Sequence, residues 1–244
     1  MQGGIAENYG LFGAGNSAPS NSSPWRLESD TEIRIVGDSV TLSGPVAGPG
    51  ALLMTNSSGT LHLRGTNLYA GGTLVTRGRL SVIGASVLPL GTGDVRVRGD
   101  TGGQLGVQEA VRVTNAVAIR GYGWAESFGQ LSALRFSSTG TVSGPVTLEG
   151  DSRIVAFASG DMGEVSGPIS GAYNLQINWA TNYSGTAGGT PGTGTITLSG
   201  DNAARRFRQS PGAQQSAAVR QPCATHRDVA GRETPDRQRS GSAH

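Results

Sequence analysis

The chain has 244 residues, 40 of them glycine, and all 19 of its basic residues are arginine. Residues 1–203 carry 11 arginines against 14 acidic residues, whereas residues 204–244 carry eight arginines against three, so a body of net charge −3 precedes a tail of +5. The single cysteine, Cys223, excludes an internal disulfide. The absence of any run of about 18 apolar residues excludes a transmembrane helix.

The amino-terminal segment, residues 1–24, shows no regular strand or helix pattern. Met1–Glu7 has no basic region followed by an apolar run, so we expect no signal peptide in this sequence. We predict that residues 1–24 form an irregular segment or an incomplete coil.

Residues 59–82 contain two short runs in which apolar and polar residues alternate. These runs and the turn residues between them are Leu61/Leu63, Leu80/Val82, Asn67 and Gly71-Gly72. Alternation is the mark of a strand with one buried face, so we predict that Leu61 and Leu63 point inward and His62 outward. Asn67 and the glycine pair suit tight turns, and turn chemistry explains Asn67 better than a ligand-binding role.

This segment closely resembles the autotransporter-associated β-strand repeat, whose pattern is roughly G-x-L-x-L-x-G-x-N-x-Y-x-G-G-T-x-V-x-x-G-x-L-x-V. The resemblance implies an all-β fold, a right-handed parallel β-helix (β-solenoid) of the pectin-lyase-like kind. It also implies a passenger domain of a bacterial autotransporter, located at the cell surface or outside the cell. In such a solenoid each coil buries its apolar face only by stacking on its neighbours.

The chain also repeats itself at long range. The matching segments are Leu27–Ile33 with Leu148–Ile154, Ser43–Gly48 with Ser166–Gly171, and Gly59–Asn67 with Gly194–Asn202. The third pair is separated by clearly more chain than the first two, which indicates a loop gained in the second copy around residues 183–193. We therefore predict a β-helix over residues 25–203 that holds two copies of a long repeat, the second one truncated.

The alternation stops after Asn202, where the repeat would call for Tyr and then Gly-Gly-Thr. Residues 204–244 are rich in Arg, Gln, Pro and Ala and poor in residues that could build a core. We predict a disordered basic tail there. Its composition also fits a GC-rich gene read out of frame.

The tripeptide Arg98-Gly99-Asp100 is the sequence that integrins recognise in many adhesive proteins. Val95 and Val97 alternate as a strand before it, and a turn follows it, so we predict an exposed loop. These three residues are the candidate attachment motif. The alternative is that these three residues form an ordinary turn at the end of a strand, without a role in attachment.

Catalytic patterns are weak in this sequence. The only histidine of the body, His62, has no Gly-x-Ser-x-Gly elbow beside it. The acidic runs 28–32 and 149–151 occupy matching places in the two copies, which favours a shared structural role over one catalytic site. We expect no catalytic residue, no metal site and no cofactor.

The resemblance implies a non-catalytic surface or secreted passenger fragment that presents loops for adhesion, interaction and virulence. Its expected partners are host-cell or matrix proteins or glycans, without nucleic acid binding, without membrane insertion and without a translocator barrel in this sequence. Two alternatives remain open: a polysaccharide lyase or hydrolase on the same fold, and a truncated gene product without function. A cluster of acidic residues on one face would favour the enzyme.

Overall fold

The computed structural model describes residues 5–8, 20–84, 87–126, 129–179, 192–201, 207–209 and 217–219. Every regular element in these ranges is a β-strand. In chain order the strands are β1 Ile5–Asn8, β2 Ser20–Asn21, β3 Trp25–Arg26, β4 Thr31–Ile35, β5 Ser39–Leu42, β6 Val46–Gly48, β7 Leu52–Met54, β8 Thr60–Leu63, β9 Leu68–Tyr69, β10 Thr73–Val75, β11 Gly78–Val82, β12 Val95–Gly99, β13 Gly103–Gln108, β14 Val111–Val113, β15 Val117–Gly121, β16 Ala125–Glu126, β17 Gly129–Gln130, β18 Leu134–Ser137, β19 Thr139–Val142, β20 Val146–Ala156, β21 Met162–Val165, β22 Ile169–Ser170, β23 Leu175–Ile177, β24 Thr195–Leu198, β25 Phe207–Gln209 and β26 Ala217–Val219.

The strands wind into a β-solenoid of about seven turns with three parallel faces. Face A contains β1, β4, β7, β10, β12, β15, the first part of β20, and β22. Face B contains β2, β5, β8, β11, β13, β18, the second part of β20, β23 and β25. Face C consists of two blocks, β3-β6-β9 and β14-β19-β21-β24-β26. This confirms the predicted all-β solenoid.

The core is built from columns of aliphatic side chains that stack in register from coil to coil. On face B one column runs through Val40, Leu61, Leu80, Leu105, Leu134, Ile154 and Ile177. All seven are buried, and five of them have no exposed surface. Parallel strands place equivalent residues about 4.8 Å apart, so each coil covers the apolar face of the next.

The two alternating runs of the repeat at residues 59–82 form strands, as their pattern predicts. Leu61 and Leu63 are buried, while His62 between them is only half-buried on the outer side. Its second apolar run stacks directly on its first, with Leu80 opposite Leu61. The two runs are thus one coil apart, which is why the pattern spans a complete coil.

The two copies of the long repeat occupy different faces of the solenoid. Strand β4 of the first copy lies on face A, whereas its match in β20 pairs with β18 on face B. Strand β8 lies on face B and its match β24 on face C, while β6 lies on face C and its match β22 on face A. The second copy is therefore rotated by one third of a turn. The loop expected around residues 183–193 lies almost wholly outside the described residues.

Most of the tail from residue 204 onward also lies outside the described residues, and the disorder expected there stays a prediction. Two short strands are described within it. Strand β25 pairs with β23, and β26 pairs with β24, both in parallel. These two segments continue faces B and C.

Candidate functional site

Departures from the regular repeat converge on one corner of the solenoid. The strands of face A recur at a nearly constant interval from β4 to β15, but the interval from Val117 to its partner Val146 is clearly longer. The extra chain forms the antiparallel hairpin β16-β17. At the same corner the pairing of β15 with β20 shifts register between Ile119 and Gly121. Natural folds break their own local rules most often at functional sites.

A cleft of about 530 Å³ lies at this corner. Its lining residues are Gly99, Asp100, Arg120, Gly121, Tyr122, Gln130, Glu149, Gly150, Asp151 and Tyr173. Parallel pairing brings these residues together from successive coils, because Gly99 lies beside Gly121 and Gly121 lies beside Ser152. The volume falls in the range of small-ligand sites, about 300–1,000 Å³.

Three glycines keep side chains out of the base of the cleft. A Cβ at Gly121, whose φ is +82°, would lie 2.0 Å from the backbone nitrogen of Asp100. A Cβ at Gly99 would lie 2.6 Å from the nitrogen of Gly123, and one at Gly150 would lie 2.9 Å from Cγ of Arg120. Larger residues at these positions would displace backbone or the arginine, so the shape of the cleft depends on glycine.

The Arg-Gly-Asp segment forms one edge of the cleft. Asp100 is exposed, Gly99 is buried and Arg98 is half-buried. Nε and Nη2 of Arg98 each donate to one carboxylate oxygen of Asp100 at 3.1 Å, and Arg120 contacts the same carboxylate at 3.0 Å. The charged ends of the tripeptide therefore bind each other in a bidentate pair. The hydrogen bond from Arg98 is the main cause of a lowered pKa at Asp100.

The other two carboxylates of the cleft are also engaged. Arg96 forms an ion pair with Glu149 at 2.9 Å, and Asp151 accepts from the backbone nitrogen of Asn174 at 2.9 Å and from its side-chain amide at 3.1 Å. The cleft therefore contains three carboxylates that are each oriented by the side chain of an arginine or of Asn174. A carboxylate has about four acceptor positions, so each keeps capacity for a ligand.

A buried arginine supports the wall formed by the hairpin. Arg153 has no exposed surface, and its guanidinium lies 4.4 Å from the ring centroid of Tyr122. It donates to the side-chain oxygen of Gln176 at 3.0 and 2.7 Å and to the backbone oxygen of Gln130. Burial lowers the pKa of Arg153 to about 10, so the side chain stays charged at neutral pH. Arg153 thus fixes two residues of the cleft from below.

The other end of the hairpin is fixed by a shared carboxylate. Glu126 forms ion pairs with both Arg79 and Arg135, and Arg79 also donates to Gln104 at 2.7 Å. Gln104 has no exposed surface and donates to the backbone oxygen of Ser132 at 3.0 Å. These contacts tie the inserted chain to the outer side of face B at both ends.

The residues considered for catalysis in the sequence lie elsewhere or are engaged. His62 lies on the outer side of face B, and burial together with Arg79 lowers its pKa. In the first acidic run, Asp30 accepts from the backbone nitrogen of Ala51 at 3.0 Å, as Asp151 does from Asn174. The two aspartates therefore share a role that links one coil to the next. The second run also lines the cleft, through Glu149 and Asp151.

Tyr122, Gln130 and Tyr173 are cleft residues that the sequence analysis did not select. For Tyr122 and Gln130 the sequence offers one signal, the spacing of apolar residues on face A. Val95 recurs at Val117 after one coil, but Val117 recurs at Val146 after clearly more residues than one coil contains. An interval longer than the coil marks an insertion, although it does not say where the insertion folds. Nothing in the sequence marks Tyr173, whose side chain is half exposed.

The described residues contain neither a membrane-spanning helix nor a cluster of metal ligands. No helix among them is long and apolar enough to cross a membrane. No group of three or more His, Cys, Asp or Glu side chains among them is placed to hold a metal ion.

No family model, no curated protein and no solved structure matches this chain.

Proposed function

We propose that this chain is a non-catalytic recognition module, a piece of an autotransporter-type passenger that acts at the cell surface or outside the cell. The observation that carries the proposal is the cleft at the hairpin corner. Each of its three carboxylates is oriented by another side chain, that of Arg98, Arg96 or Asn174. The repeat at residues 59–82 and the solenoid fold support the passenger assignment. The expected partners are proteins or glycans of a host cell or its matrix.

The contacts made by the cleft carboxylates favour binding over hydrolysis. General acid catalysis needs a carboxyl group that keeps its proton near neutral pH. Asp100 has a lowered pKa because Arg98 and Arg120 stabilise its charge. Glu149 is paired with Arg96, and Asp151 accepts three contacts from Asn174. An array of engaged carboxylates suits a surface that accepts hydrogen bonds from a ligand.

A polysaccharide hydrolase or lyase is the second candidate. It is favoured by one observation, namely that Asp100, Glu149 and Asp151 line a single cleft. Acidic residues clustered on one face are the feature that would distinguish such an enzyme from a scaffold. Release of reducing ends or unsaturated sugars from a panel of polysaccharides, abolished by Asp151→Asn, would establish this candidate in place of recognition.

Cell attachment is the direct test of the proposed function. The purified chain, coated on a surface, should retain mammalian cells more strongly than a coat of albumin. Asp100→Glu moves the carboxylate by one methylene, and Asp38→Glu, at an exposed position away from the cleft, is the matched control. Loss with Asp100→Glu alone, together with blocking by a soluble Arg-Gly-Asp peptide, would assign attachment to the tripeptide. No retention of any cell type by the folded chain, together with no binding of any glycan, would contradict the recognition role.

A further inference from the structure

The cleft combines two tyrosines, a base of three glycines and a ring of hydrogen-bonding groups. Tyr173 is half exposed, and Tyr122 stacks on Arg153. Asp100, Glu149 and Asp151 provide acceptors, whereas Arg120 and Gln130 provide donors. Aromatic rings beside oriented carboxylates are suited to a ligand with both apolar C–H surface and hydroxyl groups.

The charges around the cleft nearly balance. Three carboxylates line it, three guanidinium groups, those of Arg96, Arg98 and Arg120, lie against them, and the buried guanidinium of Arg153 lies behind Tyr122. An anionic ligand therefore gains little Coulomb attraction, because three of these cations are already paired with carboxylates and the fourth is covered by Tyr122. An anionic ligand would also bring its charge close to carboxylates whose donors are already engaged, and repulsion between like charges at a surface is worth up to about 4 kcal/mol at 4 Å before screening.

We propose that the cleft binds an uncharged saccharide and discriminates against uronate or sulfated saccharides. This inference rests on the proposed recognition function and names its ligand class. The apolar face of a sugar ring lies against the tyrosine side of the cleft. Its hydroxyl groups donate to Asp100, Glu149 and Asp151, and one of its oxygens accepts from Arg120.

The first experiment measures binding of the full chain by titration calorimetry and on a saccharide array. The probes are uncharged hexasaccharides of glucose, xylose, mannose and galactose, and hexagalacturonate and a heparin hexasaccharide as the anionic set. At least one uncharged probe should bind, and the anionic probes should bind at least tenfold more weakly. Stronger binding of an anionic probe would overturn the inference but leave the recognition function intact.

The second experiment locates the binding. Tyr173→Ala removes a half-exposed ring and should weaken binding of the uncharged probe about five- to tenfold, the range expected for an aromatic contact. Met162→Ala, which removes another exposed apolar side chain, on face C, should leave binding unchanged. Equal effects of the two variants would place binding outside the cleft and overturn the inference.

The third experiment changes the selectivity. The double variant Glu149→Gln/Asp151→Asn keeps the shape of the cleft, removes two negative charges and frees Arg96. Its preference for the uncharged probe over hexagalacturonate should fall at least tenfold, and Asp38→Asn should leave the preference unchanged. An unaltered preference, with unfolding midpoints matched to the parent chain, would contradict the charge argument. Absence of saccharide binding while cells are still retained would overturn only this inference, whereas absence of both would overturn the recognition function as well.

Discussion

The guanidinium of Arg153 lies 4.4 Å from the ring centroid of Tyr122, at a position without any exposed surface. Arg153 belongs to strand β20 of the regular solenoid, whereas Tyr122 begins the inserted chain that carries the hairpin. The contact therefore joins a strand of the stacked coils to the inserted chain. Such a cation–π contact is worth about 2 kcal/mol when it is desolvated.

Replacing Arg153 should loosen the hairpin and destabilise the chain. Arg153→Met leaves the side-chain oxygen of Gln176 and the backbone oxygen of Gln130 without their donor. We expect the free energy of unfolding in urea to fall by about 2–3 kcal/mol, since buried polar groups left unpaired cost about 1–3 kcal/mol each. Arg112→Met, at an exposed position on strand β14, should change it by less than about 0.5 kcal/mol. Similar losses in both variants would contradict the supporting role of Arg153.

Two glycines with positive φ allow the cost of backbone strain to be measured separately from the cost of a steric clash. Gly123 has φ +79°, and a Cβ there would lie 1.6 Å from the backbone oxygen of Ser132. Gly160 has φ +93°, but nothing lies within 4 Å of its Cβ position. Gly160→Ala should cost about 1–2 kcal/mol from the backbone alone. Gly123→Ala should cost at least about 2 kcal/mol more, because the hairpin must move. Chemical denaturation of both variants measures this difference. Equal losses of unfolding free energy would mean that the hairpin moves aside without cost.

Asn67 links three successive coils from inside the solenoid. Its Oδ1 accepts from the backbone nitrogen of Val46 at 3.0 Å, and its Nδ2 donates to the backbone oxygen of Pro89 at 2.7 Å. Asn67→Ala should lower the free energy of unfolding by about 2–4 kcal/mol, because two buried backbone groups lose their partners. Asn21→Ala removes one exposed hydrogen bond to Ser23 and should cost below about 1 kcal/mol. Thermal and urea unfolding would reveal an effect confined to Asn67, and comparable losses would exclude a special role for it.

The ion pairs of Asp100 should stabilise the chain fully above its ordinary carboxyl pKa of 3.8 and progressively less as the pH falls below that value. Hydrogen bonding and charge from Arg98 lower the pKa of Asp100 in the folded chain. A group with a lowered folded pKa contributes stability above its unfolded pKa, and this contribution disappears as the pH falls through the folded value. A double-mutant cycle of Arg98→Met and Asp100→Asn should give a small favourable coupling at pH 7, limited by solvent screening. The coupling should vanish toward pH 2, and a pH-independent coupling would contradict the ion-pair assignment.

Much of the solenoid could be predicted from local pattern, because alternation alone decides which side chains are buried in a strand. Leu61 and Leu63 illustrate this, as both are buried and His62 between them is not. The tight turn predicted at Asn67 is wrong, because no turn is found at this residue and its φ does not lie in the left-handed region. Its amide bonds to the preceding coil at Val46 and to the following coil at Pro89, and no local pattern contains those partners.

The rotation of the second repeat could not be predicted, because the sequence does not specify which face a corner leads into. Ser43-Gly44-Pro45 leads into strand β6 on face C, whereas its match Ser166-Gly167-Pro168 leads into strand β22 on face A. The cleft depends on the same kind of information. Asp100 and Asp151 are distant in the chain, and they meet only because register places Gly99, Gly121 and Ser152 side by side.

Because the first coils contain equal numbers of residues, removing or adding one whole coil would change the position of the cleft along the solenoid axis. Thr31, Leu52 and Thr73 stack at equal intervals on face A, and Ser39 and Thr60 stack at the same interval on face B. Removing residues 52–72 would join equivalent points of adjacent coils and bring the cleft about 4.8 Å nearer to the amino-terminal end. Adding such a segment would move the cleft away by the same step. The irregular coil forms the cleft, and the number of regular coils before it sets the distance between the cleft and the amino-terminal end of the solenoid.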